Sequence, residues 1–314
     1  MPILTFIMPV RNGVSFIQTA VRSIREQNVR DWEMIVVDDH STDGTSELIR
    51  PLLESDVRIR VVENPGLGQV QAINHGYSLC SGRFLKIVDC DDLLTPAFSA
   101  AFERLTSSEA VYHDALLWDE PLGRFDRLRI GRRFQDMGLE QSLRRIMISP
   151  PRWSWTISRR VADRVFPLPT HLTSPHEDIY LGLMIKKYAT VRYVPLPLYV
   201  YRQHGAQFYG GLFNFSLRAV TRRAEAMLRI IGMVEESNIV KDLPGSEKLL
   251  AFPRTYYSLL ARVPLSMGDI FGSRLAVSEK IRVALIRKAP LLASWLSRRR
   301  ALRKAKVDMT EALP

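Results

Sequence analysis

The stretch Phe84-Leu85-Lys86-Ile87-Val88-Asp89-Cys90-Asp91-Asp92 joins a short run, apolar except for Lys86, to three carboxylates within four residues. Its first part has the length and composition of a strand buried on both faces. Three similar runs precede it: Ile3 to Met8, Met34 to Val37, and the alternating Arg58 to Val62. Helical spacings lie between them, with Phe16, Ile17, Ala20, Val21 and Ile24 in one segment and Val70 to Leu79 in another. A polar segment from Ser41 to Glu47 opens a third helix, with Thr42 or Asp43 as candidate caps. Four strands alternating with helices predict a parallel sheet with right-handed crossovers. Ligands of such sheets sit beyond the carboxyl ends of the strands. Met34 to Val37 also runs into acids, Asp38 and Asp39. Two acidic clusters are therefore expected on one rim of one sheet.

Further along, Tyr112 to Trp118 and Trp153 to Ile157 have strand patterns, and Arg159 to Val165 has a helical one. Pro167, Pro169 and Pro175 mark a loop before a helix from Asp178 to Lys187. Val194 to Tyr201 contains two prolines and fits an edge strand. Beyond about residue 212 the pattern is helical. The expected organisation is an α/β domain over residues 1–210 followed by a helical C-terminal region over 211–314.

Asp89, Asp91 and Asp92 would repel one another without a cation. An oxygen-rich site suits Mg²⁺ or Mn²⁺, which take phosphate oxygens as further ligands and can neutralise a departing diphosphate. A solvated turn with Asp92 as a helix cap is the alternative. Asp38-Asp39-His40-Ser41 reads either as a capping turn or as a carboxylate that accepts hydrogen bonds from a base or ribose. Trp153 and Trp155 alternate, which suits core packing for one and sugar stacking for the other.

Six segments, in order, resemble the family 2 glycosyltransferases with the GT-A fold. They are Ile7-Met8-Pro9-Val10-Arg11-Asn12-Gly13, the run Ile35 to Thr45, Ile73-Asn74-His75-Gly76, the run Ser81 to Asp92, Glu177-Asp178 with Leu181 and Lys186-Lys187, and Tyr201-Arg202-Gln203-His204-Gly205. The resemblance spans residues 3 to 206. It implies a Rossmann-like, mostly parallel sheet flanked by helices, and inverting transfer from a nucleotide sugar, usually a UDP-sugar. It also implies roles. Pro9, Arg11, Asp38 and Asp39 would line the base and ribose pocket, and Asp89 would touch the ribose. Asp91 would hold Mn²⁺ or Mg²⁺, and Arg202 and His204 would lie near the diphosphate or metal. Asp178 would be the general base on the acceptor, with Glu177, Asp92 and Trp155 supporting it or meeting the acceptor. The family often has Arg before the Asn of the third motif, where this chain has Ile73. The uncharged, glycine- and aromatic-rich stretch from Gly205 to Phe215 reads as a flap over the donor.

The formal charge of +11 points at nucleic acid until it is located. Arg274 to Lys306 holds eleven basic residues and one acid, Glu279, so the remainder is nearly neutral. No nucleic-acid partner is expected. A basic helix in which Val277, Ile281, Ala284 and Leu285 share a face, followed by Leu291, Leu292, Trp295 and Leu296, suits an anionic membrane surface. Such a site would lie near a glycan or lipid-linked acceptor in bacterial envelope polysaccharide or glycolipid synthesis. Two cysteines make no disulfide framework, and no run reaches 18 apolar residues, so a cytoplasmic protein, peripheral at the inner membrane face, is expected. The rival readings are a sugar nucleotidylyltransferase, which would favour a Gly-rich basic loop after the first strand, and a non-enzymatic basic membrane- or nucleic-acid-binding protein.

Overall fold

The computed structural model describes residues 1–144, 149–170, 172, 177–204, 216–241, 243 and 246–303. Its strands are β1 (Leu4–Val10), β2 (Trp32–Asp38), β3 (Ile59–Glu63), β4 (Phe84–Ile87), β5 (Leu93–Leu94), β6 (Ala110–Asp119), β7 (Arg124–Leu128), β8 (Trp155–Ser158), β9 (Val191–Gln203) and β10 (Leu302–Arg303). They form one sheet in the order β10-β7-β6-β8-β4-β1-β2-β3, with β9 paired to β6 and to the short β5. The first four strands are mutually parallel, as their alternation with helices requires. Beyond β4 the sheet is mixed: β8 enters antiparallel between β4 and β6, and β7 and β10 are also antiparallel to their neighbours.

The central strands are mostly apolar because both faces are covered. Side chains alternate across a strand, so Ile7 joins Leu85, Ile87, Tyr112 and Trp155 on one face, while Phe6 and Met8 join Val36, Phe98 and Trp153 on the other. β9 pairs with β6 along its length and shifts register between Val194 and Pro197, where its two prolines cannot donate to a ladder. Trp153 is not in a strand. Ser154 donates its backbone N–H to the carbonyl of Pro151 at 3.0 Å, closing a 3₁₀ turn over Arg152–Ser154 before β8 starts. The N-cap position of the helix Thr45–Ser55 is Gly44, whose φ of 89° favours glycine, while Asp43 just before it accepts from the Thr45 N–H at 3.1 Å and Thr42 does not cap it.

The helix Leu217–Glu236 buries Met227, Ile230, Ile231 and Val234 in the cluster that holds Ile7 and Trp155. The later helices build a cluster of their own around Tyr256, Leu259, Ile270, Val283 and Ile286. Of the four residues expected to share the apolar face of the basic tail, Ala284 and Leu285 pack partly against this cluster. Val283 and Ile286 turn inward, and Val277 and Ile281 remain exposed at 68% and 56%. No helix of the described residues is long and apolar enough to cross a membrane.

Candidate active site

The loops after β1 and β2 are sewn together by short polar side chains. Thr42 donates its backbone N–H to Asn12 Oδ1 at 2.8 Å, Gly13 N–H donates to Thr45 Oγ1 at 2.9 Å, and Val14 N–H donates to Asp43 Oδ2 at 3.0 Å. Pro9 is buried within β1, and Arg11 emerges exposed just beyond it. Asp38 spends its carboxylate on its own turn, accepting from Ser41 N–H at 3.0 Å, from Ser41 Oγ–H at 2.6 Å and from Ser46. Asp39 is 3% exposed and accepts from Asn64 Nδ2 at 2.7 Å and from Gly68 N–H at 2.9 Å, with the Arg11 guanidinium 3.7 Å away. Asp39 is thus the acid of this pair that lies beside Arg11.

The second cluster follows β4. Asp89 donates its N–H to the Tyr199 hydroxyl at 3.0 Å and pairs through Oδ1 with Arg152. Asp91 Oδ2 lies 3.1 Å from His204 Nε2. Asp92 is buried and accepts from Arg202 N–H at 2.8 Å, so it ties β4 to β9 and caps no helix. Burial, then the neighbouring acids Asp91 and Asp89, push the Asp92 carboxyl well above its usual range. Arg202 is held between aromatic rings, 5.2 Å from the Phe16 centroid and 4.4 Å from that of Trp118. His204 packs on Phe16 with centroids 4.3 Å apart.

The acids of β4 and those of the helix Glu177–Tyr188 meet through Arg152. Its buried guanidinium bonds Asp89 with one nitrogen and Glu177 with the other. Burial alone would favour a neutral group; Asp89 and Glu177 outweigh it and keep Arg152 firmly cationic. Asp178, next to Glu177, is the second residue of its helix and half-buried. Burial first, and then the charge of Glu177, raise its carboxyl to about 8. That value lies near neutrality, where a general base works best. Trp155 lies 3% exposed in the core, its ring beside Tyr112 and Phe134 and its Nε1–H on the Pro150 carbonyl at 3.3 Å. Trp153 stacks on Tyr199 at 4.9 Å and is equally buried.

Topology explains the meeting. β6 and β9 run in the same direction as β1, β2 and β4, so Asp38 at the end of β2 lies on one rim with Asp89 and His204, which follow β4 and β9. Because β8 runs the other way, it is its amino end that reaches this rim, and Arg152 precedes it. Among the described residues, Asp92 Oδ2, Arg152 Nε, Glu177 Oε2, Asp178 Oδ1 and His204 Nδ1 are buried there without hydrogen-bond partners. Buried polar groups are usually paired in folded proteins, and this group of atoms gathers at one rim. No three His, Cys, Asp or Glu side chains among the described residues converge as a metal cage. Asp91 with His204 offers a carboxylate and an imidazole, a donor set that fits an ion taking its other ligands from phosphate and water. His176 and the expected flap from Gly205 to Phe215 lie outside the described residues. An open cavity of about 1070 Å³ lies at the opposite rim, lined by Arg129, Arg132, Lys186, Arg192 and Tyr193 among others, and contains none of these acids.

A family model described as glycosyl transferase family 2 matches residues 5–163, half of the chain. The chain belongs to glycosyl transferase family 2. That membership separates the chain from the nucleotidylyltransferase reading. This family 2 glycosyltransferase is 29% identical to Bacillus subtilis EpsH over 214 residues, which are 65% of this chain and 61% of EpsH. It spans smaller shares of other curated relatives it matches. Its structure is similar to that of Staphylococcus aureus TarS in complex with UDP, with a TM-score of 0.58 at 17% identity over 93% of this chain and 87% of the other. It is equally similar to the mannosyltransferase PcManGT of Pyrobaculum calidifontis in complex with GDP-Man and Mn²⁺, with a TM-score of 0.58 at 18% identity over 94% and 86%. At these identities the likeness establishes the GT-A fold.

Arg152 is the residue that the sequence does not announce. Nothing local marks it, and it stands 63 positions from one partner and 25 from the other.

Proposed function

We propose that this glycosyltransferase moves a sugar, with inversion, from a UDP-sugar to a hydroxyl of a glycan or lipid-linked acceptor. One observation supports the reading: Arg152 bridges Asp89 and Glu177, so the proposed donor-side acid Asp89 and the neighbour of the proposed base Asp178 share one cation. Asp39, beside Arg11 and backed by Asn64 and the Gly68 N–H, would receive the base. Asp89, held by Arg152 and Tyr199, would meet the ribose. Asp178 would take the proton of the acceptor hydroxyl as its oxygen bonds to the anomeric carbon. The bond from that carbon to the diphosphate oxygen breaks in the same displacement, so the configuration inverts. Asp91, with His204 beside it, would hold Mn²⁺ or Mg²⁺. When bound, the ion supplies positive charge against the leaving diphosphate. TarS in complex with UDP and PcManGT with Mn²⁺ support the choice of donor and ion.

The acceptor side is read from the C-terminal helices. Met267 and Phe271 on one helix, and Val277 and Ile281 on the next, are exposed at one-turn spacing, and Leu291 and Leu292 are exposed beyond them. Exposed Arg274, Arg282 and Lys288 flank them. This mix suits the anionic surface of a membrane, where an envelope polysaccharide or glycolipid acceptor would be presented.

The test is thermal stabilisation by UDP. With Mn²⁺ or Mg²⁺ present, UDP at a hundred times its dissociation constant should add about 2.7 kcal/mol. Chelator should remove most of that, and Asp91→Ala should behave as wild type does in chelator. Equal UDP binding with and without chelator would sink the metal assignment. No turnover across a panel of nucleotide sugars with glycan and lipid-linked acceptors would sink the donor reading.

A further inference from the structure

Lys86 is the one charged residue within β4, and it is 1% exposed. Its ammonium donates to the Trp153 carbonyl at 2.7 Å, to His113 Nε2 at 3.0 Å and to the Trp155 carbonyl at 3.5 Å. His113 is also fully buried, and its Nδ1 lies 2.7 Å from the Asp114 carbonyl. That nitrogen must donate there, which leaves the Nε2 lone pair free to accept from Lys86. All three ammonium donors are thereby used. Burying an ammonium costs several kcal/mol, and a methionine of similar shape would pack the same space without that cost. Burial lowers the Lys86 pKa to about 7, with the Asp89 charge opposing. A core needs no such residue.

What Lys86 grips is informative. The Trp153 carbonyl belongs to the turn Arg152–Ser154, whose first residue clamps Asp89 and Glu177. The Trp153 ring stacks on Tyr199, whose hydroxyl accepts from the Asp89 N–H. Lys86 lies three residues before Asp89, which follows the same strand. It ties the strand that delivers the donor acids to the turn that delivers the cation joining them to the base's helix.

We propose that Lys86 is a positioning residue for glycosyl transfer, acting through the turn that carries Arg152. The proposal rests on the transferase reading above and deepens it. Lys86 touches no substrate. Its loss would let the Arg152 turn shift, and an ångström of misplacement at a catalytic group can cost a factor of about a hundred.

The test uses Lys86→Met in the full chain. Donor KM and UDP affinity should stay within about twofold of wild type, and kcat should fall by about tenfold or more. Backbone amides of residues 152–155 should exchange with deuterium faster, while those of β1 and β2 stay as protected as before. Lys86→Gln, which can still donate to one carbonyl, should fall between. Because Lys86 acts through Arg152, adding Lys86→Met to Arg152→Lys should slow the enzyme no further than the slower single variant. Multiplying losses would overturn the proposal, as would unchanged exchange at 152–155 or a lower melting temperature with wild-type kcat. Should Lys86→Met fail to fold, Lys86→Gln carries the same comparison. If wild type transfers from no nucleotide sugar, the transferase reading fails, and the exchange measurement still decides whether Lys86 holds the turn.

Discussion

At Asp178 two demands on one carboxyl pull apart. In the folded chain, burial and the Glu177 charge lift it from the ordinary 3.8 to about 8. An acid raised in this way stays protonated in the folded state. Its contribution to stability is complete below about pH 4 and is lost as the pH rises through about 8. The proposed role as general base has the opposite sign, because a base works only when unprotonated. Turnover per folded molecule should therefore climb from pH 6 towards 9 while the melting temperature declines. Asp178→Asn keeps the size and removes the titration. It should cut kcat about a hundredfold or more, leave UDP affinity unchanged and flatten the pH profile. It should also melt no lower than wild type at pH 9, since no unpartnered carboxylate remains to ionise. Asp178 is the second residue of its helix and not its cap, so a cap loss of about 1 kcal/mol is not expected. A melting temperature several degrees lower with kcat retained would mean that Asp178 is structural.

Two glycines show that what an element tolerates depends on what it lies against. Gly76 and Gly232 both sit inside helices, and in isolation alanine would favour either helix by roughly 1 kcal/mol. A Cβ on Gly76 would fall 2.6 Å from Ile7 Cγ2 and 3.2 Å from Val37 Cγ2, methyls of β1 and β2 in the buried centre of the sheet. One on Gly232 would meet nothing within 4 Å. Overpacking of that kind costs about 1–3 kcal/mol. Gly76→Ala should therefore destabilise by about 1–2 kcal/mol, and Gly232→Ala should stabilise by up to about 1 kcal/mol. Chemical denaturation of the pair checks both signs, and equal shifts would show that the helix seats less tightly on β1 than the contact implies. The glycine of the Ile73-Asn74-His75-Gly76 motif is thus explained by close helix–sheet packing, with no ligand needed.

Across the whole molecule, the surplus of positive charge and much of the exposed apolar surface fall in the C-terminal region of the sequence. Deleting the tail would be a poor test of membrane binding, because Val283, Ile286 and Ala293 belong to a packed cluster. Replacing the exposed residues instead leaves that cluster intact. The combined variant Val277→Ser, Ile281→Ser, Leu291→Ser and Leu292→Ser should bind phosphatidylglycerol vesicles at least about tenfold more weakly, with UDP affinity unchanged. Each lysine or arginine near an anionic surface is worth about 1 kcal/mol, so the binding should also weaken with salt. Vesicle binding that matches wild type would remove the membrane from the picture.

The parallel half of the sheet and the acids at its rim were legible because both are local. A strand's length and periodicity lie within a few residues, and whatever follows its carboxyl end goes where that end points. Asp38, Asp39, Asp89, Asp91 and Asp92 needed nothing more to be placed on one rim, and the charge of the tail could be counted directly. The antiparallel half could not be read in the same way. Whether Trp153 or Trp155 packs, whether Asp92 caps a helix or ties β4 to β9, and which face of the tail is buried all depend on partners far along the chain. Arg152 is the sharpest case. It reaches the acids only because β8 inserts antiparallel between β4 and β6, which turns its amino end to their rim. A pairing of that range is settled by the packing of both sheet faces, and no window of neighbouring residues encodes it.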